Sequence, residues 1–308
     1  MPGVSHRPGR VRACLAPAVA VALLGLSLGG AVPGRQTLTS RPGDREMIVS
    51  VLDKQGVPVT DLTADDFLVR EDGVRREVLR AGRATGPITL ALLVDTSQAA
   101  SPYMADIRRA LGTFLQRMGG ANLVALTTFG ERPSILVDYT TSVAALERGV
   151  GRLFALRGSG AYFLDAVAEI CKGLSKRDVD RAVILAIGTG GPEFSTRLCR
   201  DLLPQLRDSG AALDVLVVNG NTLDTSSEGR ERALFLDEGP RATGGTRANL
   251  LTSMALDAAL ARLASELTNQ YRIVYARPDA LIPPTHIEVT VRRPGLVARG
   301  TPVKPSRP

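Results

Sequence analysis

The chain has no tryptophan, two histidines and three cysteines, and aromatic residues fill only 4% of its 308 positions. Each shortage excludes something. So thin an aromatic supply cannot build a base-stacking platform, and no nucleic-acid partner is expected. The histidines are His6 and His286, at opposite ends of the sequence. A Ser-His-Asp or Cys-His set has almost nothing to draw on, so no enzyme is expected. A hydrolase with an unrecognised site is the remaining enzymatic reading. There is no Cys-x-x-Cys pair and no Gly-x-x-x-x-Gly-Lys phosphate loop. The pieces Gly158-Ser159-Gly160 and Gly188-Thr189-Gly190-Gly191 lack dinucleotide spacing. They read as strand-to-helix turns that need positive φ. Lysine occurs only at positions 54, 172, 176 and 304, so arginine supplies nearly all of the +7 net charge. The arginines are scattered rather than blocked, as on a solvated surface.

Long apolar runs are also missing. The best, Ala13–Leu28, is short and broken by Pro17 and glycines. Arg7, Arg10 and Arg12 precede it, and Gly29-Gly30-Ala31 follows with small residues suited to cleavage. This is the layout of a signal peptide over 1–31 rather than a stable membrane span. A periplasmic or secreted protein is expected, with an uncleaved N-terminal anchor as the alternative. Cleavage leaves Cys171 and Cys199, each on an apolar helix face and read as a buried, reduced thiol.

What is present is strong strand and helix patterning. Residues 32–45 form a linker rich in Gly, Pro, Ser and Thr. Residues 46–85 read as a small β-module: a strand at Met47–Leu52, then strands at Phe67–Arg70 and Val74–Leu79 around the turn Glu71-Asp72-Gly73. The stretch Ile88–Val94 is an apolar run interrupted only by Thr89, as for a strand buried on both faces, and ends in Asp95-Thr96-Ser97. A helix is expected over Asp106–Met118. Strands follow at Leu123–Thr128 and Ser134–Tyr139, close enough to run antiparallel. Helices are expected at Ser142–Phe154, Leu164–Leu174, Pro192–Arg207 and Leu250–Leu267, and strands at Ala182–Ile187, Leu213–Val218 and Tyr271–Tyr275. Asn221–Arg247 reads as a polar connection. The fold class is α/β: a doubly wound, mostly parallel, Rossmann-like sheet over 86–277. The strand in 278–300 should pack with the β-module, because neither piece can bury a core alone. Residues 301–308 are expected to be a disordered tail.

The unit of strand, Asp95-x-Ser97 loop and helix resembles the opening of a von Willebrand factor A (VWA) domain. The leader Val51-x-Asp53-x-x-Gly56-x-Pro58-Val59-x-x-Leu62-Thr63-x-x-Asp66-Phe67-x-Val69-x-Glu71-Asp72-Gly73 is similar to that of the exported VWFA-related family abundant in Acidobacteria. That resemblance implies a metal-ion-dependent adhesion site built from Asp-x-Ser-x-Ser, a Thr in a second loop and an Asp after the fourth strand. Here Asp95 and Ser97 are kept, but Ala99, Ala161 and Thr189 stand where oxygen ligands are usual. Ser159 is a displaced hydroxyl of the second loop.

With Asp95 as the one secure carboxylate, a hard cation is poorly served, so a degenerate site with no cofactor is expected. Mg²⁺ on Asp95 and Ser97, helped by Ser159 and Thr189, is the alternative. Asp165 and Glu193 read as carboxylates at helix starts. The resemblance then implies a non-catalytic interaction module of the cell envelope. Its protein partner would meet loops carrying Asp95, Ser97, Gln98, Ser159, Tyr162, Thr189 and Glu193. A genuine Mg²⁺-dependent adhesion domain with a relaxed site is the alternative function.

Overall fold

The computed structural model describes residues 43–220, 224–278, 282 and 284–304. The expected signal peptide, and most of the expected linker, lie outside the described residues.

The centre is a six-stranded sheet. It comprises β5 (Thr89–Val94), β6 (Leu123–Thr128), β7 (Ser134–Thr140), β8 (Ala182–Thr189), β9 (Ala211–Val218) and β10 (Arg247–Leu250), in the order β10-β9-β8-β5-β6-β7. All neighbours run parallel except β7, which returns antiparallel along β6. Alternate side chains of β5 serve two cores, as a pleated strand requires. Leu90, Leu92 and Val94 meet α1 (Met104–Met118), α2 (Val143–Gly151) and α6 (Leu256–Thr268) on one face. Ala91 and Leu93 meet α3 (Phe163–Ser175), α4 (Cys199–Ser209) and α5 (Ser227–Thr243) on the other. Cys171 and Cys199 belong to that second core, both as buried free thiols.

The remaining strands build the β-module. β1 (Asp44–Leu52), β4 (Val78–Arg83), β11 (Tyr271–Ala276) and β13 (Val297–Pro302) form one antiparallel sheet, in the order β13-β1-β11-β4. β2 (Phe67–Glu71), β3 (Val74–Arg76) and β12 (Ile287–Val291) form another, in the order β12-β2-β3. Met47, Val49, Phe67, Val69, Ile273 and Val289 fill the core between them. Both β12 and β13 thus pair with N-terminal strands, along β2 and β1 respectively.

Several expected elements are corrected. The strand expected at Val74–Leu79 is two strands, because the chain leaves the β2–β3 sheet at Glu77 and joins β11. The helix at Ser142–Phe154 stops at Gly151. The helix expected from Pro192 begins only at Cys199, after an irregular loop over 190–198. The polar connection Asn221–Arg247 contains α5 and leads into β10. Ser226 caps α5 by accepting the Gly229 N–H at 2.9 Å, and Gly244 ends it at φ 75°. β1 starts inside the expected linker and β13 runs through Pro302 into the expected tail. Residues 305–308 lie outside the described residues.

Candidate functional site

The candidate site lies at the carboxyl ends of β5 and β8, beside the point where chain connections diverge in opposite directions, the position at which open α/β sheets hold ligands. Asp95 directly follows β5 and is fully buried. Its Oδ1 accepts the Ser97 N–H at 2.8 Å. Its Oδ2 accepts the Thr189 N–H at 3.0 Å and the Thr189 hydroxyl at 2.6 Å. The hydroxyl contact is short, as charge-assisted bonds are. Thr189 ends β8, so the strand itself delivers both donors to the carboxylate.

The surrounding loops are laced together by backbone and amide contacts. The Gln98 N–H donates to the Ser159 carbonyl, and Gln98 Oε1 accepts the Gly158 N–H at 2.6 Å. The Ser159 hydroxyl is spent on the Leu156 carbonyl at 2.9 Å. Tyr162 lies against Phe194, with ring centroids 6.1 Å apart. Of the two glycine pieces, only Gly158 has positive φ. The expectation of positive φ throughout is therefore corrected: Gly160 and Gly191 are needed for close approach. A Cβ at Gly160 would lie 2.2 Å from the Phe194 ring, and one at Gly191 would lie 2.6 Å from the Ala99 Cβ.

Glu193 is not at the start of its own helix. Its buried side chain reaches across to cap α3, with Oε1 accepting the Phe163 N–H at 2.9 Å and the Ser195 N–H at 3.3 Å. Arg232 of α5 approaches Oε2 at 3.7 Å and donates instead to the Gly191 carbonyl at 2.8 Å. Burial pushes the Glu193 carboxyl up to about 7. Asp165 is in the first turn of α3, as expected, and pairs with Arg197 at 2.8 Å.

The residues expected to meet a partner therefore divide. Gln98 is exposed, and Ser159 and Tyr162 are half-buried. Asp95, Ser97, Thr189 and Glu193 are buried, because their polar atoms face the loops and strand ends that they organise. Those four lie beneath the surface of the loops. Sequence reasoning did not single out Phe194, which is 49% exposed and lies against Tyr162. The signal was available for Phe194: one of only seven phenylalanines, it sits in the loop-forming run Gly190-Gly191-Pro192-Glu193-Phe194.

A cavity of about 150 Å³ opens beside Asp95, between β8, β9 and α5. Phe129, Phe163 and Leu236 line it, with Arg232 and Arg247. The donor set beside it does not suit a hard cation. Both Asp95 oxygens accept protein hydrogen bonds, the Thr189 hydroxyl faces Asp95 as a donor, and Ala99 and Ala161 add no side-chain oxygen. Ser97 Oγ is buried without a hydrogen-bond partner among the described residues, a lone hydroxyl where a cage needs about six oxygens. Among the described residues no group of three or more His, Cys, Asp or Glu side chains is placed to hold a metal.

A six-stranded sheet with one antiparallel edge, helices on both faces and an Asp-x-Ser loop at its carboxyl end defines a VWA-like α/β fold. Among solved structures, the chain is similar to a von Willebrand factor type A protein from Catenulispora acidiphila. The identity is 10%, the match covers 86% of this chain and 73% of that one, and the TM-score is 0.48. It is also similar to BatB from Bacteroides thetaiotaomicron, at 13% identity over 59% of this chain and 98% of that one, with a TM-score of 0.44. A third is proximal thread matrix protein 1 from the mussel byssus, with a zinc-occupied MIDAS motif. Here identity is 12%, coverage 62% of this chain and 48% of that one, and the TM-score 0.47. No family model matches the chain, and no curated protein matches it.

Proposed function

We propose that this chain is a non-catalytic protein-interaction module of the cell envelope, working through a metal-free version of the VWA site. One observation carries the reading: Thr189 donates to Asp95 through both its hydroxyl and its N–H, in the place where a cation would otherwise neutralise two carboxylates. The loops above are then organised without an ion. Gln98, Tyr162 and Phe194 supply a partly aromatic surface at the sheet's carboxyl edge, the residue type that anchors protein interfaces. The signal-peptide pattern at 1–31 supports export.

The test is affinity capture from an envelope extract, with wild type compared against Gln98→Ala/Phe194→Ala and against Asp95→Asn. The reading expects a partner held by wild type in EDTA and lost with the loop variant. Capture that survives the loop variant would count against this surface. Capture that requires Mg²⁺ and is lost in Asp95→Asn would establish the adhesion-domain alternative.

A further inference from the structure

Glu193 stands apart from the Asp95 cluster and does something different. Its side chain has 0% exposure, yet it touches three elements. Oε1 caps α3 through the Phe163 and Leu164 N–H groups, at 2.9 and 3.4 Å, and takes the Ser195 N–H of its own loop. Its backbone N–H donates to Asp224, just before α5, at 2.9 Å. Oε2 is buried with no hydrogen-bond donor among the described residues; only Arg232 faces it, at 3.7 Å. The other charged groups around it are already engaged. Asp165 pairs with Arg197, Asp224 accepts from Ser226, and Glu231 accepts the Cys199 N–H.

We propose that Glu193 is a proton-operated clasp that holds the 190–198 loop against α3 and α5 when protonated and lets it open more readily when ionised. The physical reason is the orphaned Oε2. With Oε1 occupied by N–H donors, an added proton goes to Oε2, which nothing hydrogen-bonds, and removes a charge whose burial outweighs the help of those N–H groups, the Ser195 hydroxyl and Arg232. Without that proton, the charge regains its hydration only if the loop opens. The closed loop therefore binds a proton more tightly than the open loop. Burial places the closed-state value at about 7 against an ordinary 4.5, so opening becomes easier as pH rises between them and levels off above. The full span is about 300-fold in the opening equilibrium. The clasp does not depend on the proposed function, because it concerns the loop itself.

Amide hydrogen exchange on the full chain, corrected for intrinsic rates, tests it from pH 4.5 to 8. Protection at Phe163, Leu164 and Ser195 should fall with rising pH by up to about 300-fold, with central β5 amides as the reference. Glu193→Gln keeps an acceptor for α3 but cannot ionise, so its profile should be flat. Arg232→Gln removes the facing cation and should move the wild-type midpoint to higher pH. A flat wild-type profile, an equal fall in Glu193→Gln, or an unmoved midpoint in Arg232→Gln would each overturn the proposal. If Glu193→Gln does not fold, wild type and Arg232→Gln decide the matter.

Discussion

Thr189→Val is the most direct probe of the proposed metal-free site. Valine keeps the shape and removes only the hydroxyl that donates to Asp95 at 2.6 Å. The cost follows from what remains. Asp95 keeps the N–H groups of Ser97 and Thr189 and is still fully buried, so one of three donors is lost and no cavity is made. A hydrogen bond to a charged group contributes about 1.5–3 kcal/mol, so a loss of about 2 kcal/mol is expected. In a domain of this size that is a fall of about 4–8 °C in Tm. Urea unfolding followed by circular dichroism measures it, with an unchanged m-value confirming that only stability moved. The same substitution on an Asp95→Asn background should cost less than about 1 kcal/mol, since the charge that made the bond strong is gone. If Thr189→Val costs under about 0.5 kcal/mol, or the same in both backgrounds, then the hydroxyl is not what compensates Asp95.

Four further outcomes are expected. The triple change Ala99→Ser, Ala161→Thr, Thr189→Asp restores the usual ligand set; it should lower stability without metal and raise Tm with millimolar Mg²⁺, while wild type does not respond. A wild-type Mg²⁺ response abolished by Asp95→Ala would refute the degenerate-site reading. Arg181→Leu should cost about 3 kcal/mol in denaturant, because the buried guanidinium donates to the Ala84, Gly86 and Leu267 carbonyls and to Gln270. Deleting everything after Pro284 removes β12 and β13, so amide protection in β1 and β2 should collapse; unchanged protection would sink the pairing argument. Burial pushes Asp214 up to about 6, so the fold retains a proton that the unfolded chain has released above 3.8, and stability falls as pH rises through that window. Asp214→Asn should flatten that fall by up to about 3 kcal/mol in pH-dependent unfolding, while retaining an acceptor for Thr246.

The sheet was legible because its central strands are buried on both faces. β5, β8 and β9 are near-continuous apolar runs, a pattern that survives without any knowledge of neighbours. α5 was not legible by period, because two glycines, a proline and a threonine take buried positions that apolar residues usually occupy. Its ends were readable, with Ser226 before and Gly244-Gly245 after, and those caps are a better signal there than hydrophobicity. The late start of α4 was hidden for a different reason. Pro192 suits a first helical turn, but Glu193 turns inward to cap α3 and the chain stays irregular until Cys199. At the site, the Asp-x-Ser resemblance pointed to Asp95 and the loops of Ser159 and Thr189, and the structure brings Thr189 to Asp95 and Ser159 to Gln98. The resemblance could not say which side chains point outward, since that depends on a carboxylate in one loop capping a helix in another.

On the proposed reading, Thr189 in place of a carboxylate changes what the site needs. Two carboxylates at the ends of neighbouring strands repel and call for a cation. A carboxylate and a hydroxyl are complementary, so Asp95 and Thr189 satisfy each other across β5 and β8 with the strands already in register. On the proposed reading, the loops above then hold one arrangement at any divalent-ion concentration. Recognition then passes from the ion to the side chains left outside: Gln98, Tyr162 and Phe194. An aromatic surface gains affinity by burying apolar area rather than by sharing a metal. Binding through it should therefore be insensitive to EDTA, resist moderate salt and weaken when Phe194 is truncated. A surface that instead lost its partner on chelation would place the missing ligands outside Asp95, Ser97, Ser159 and Thr189.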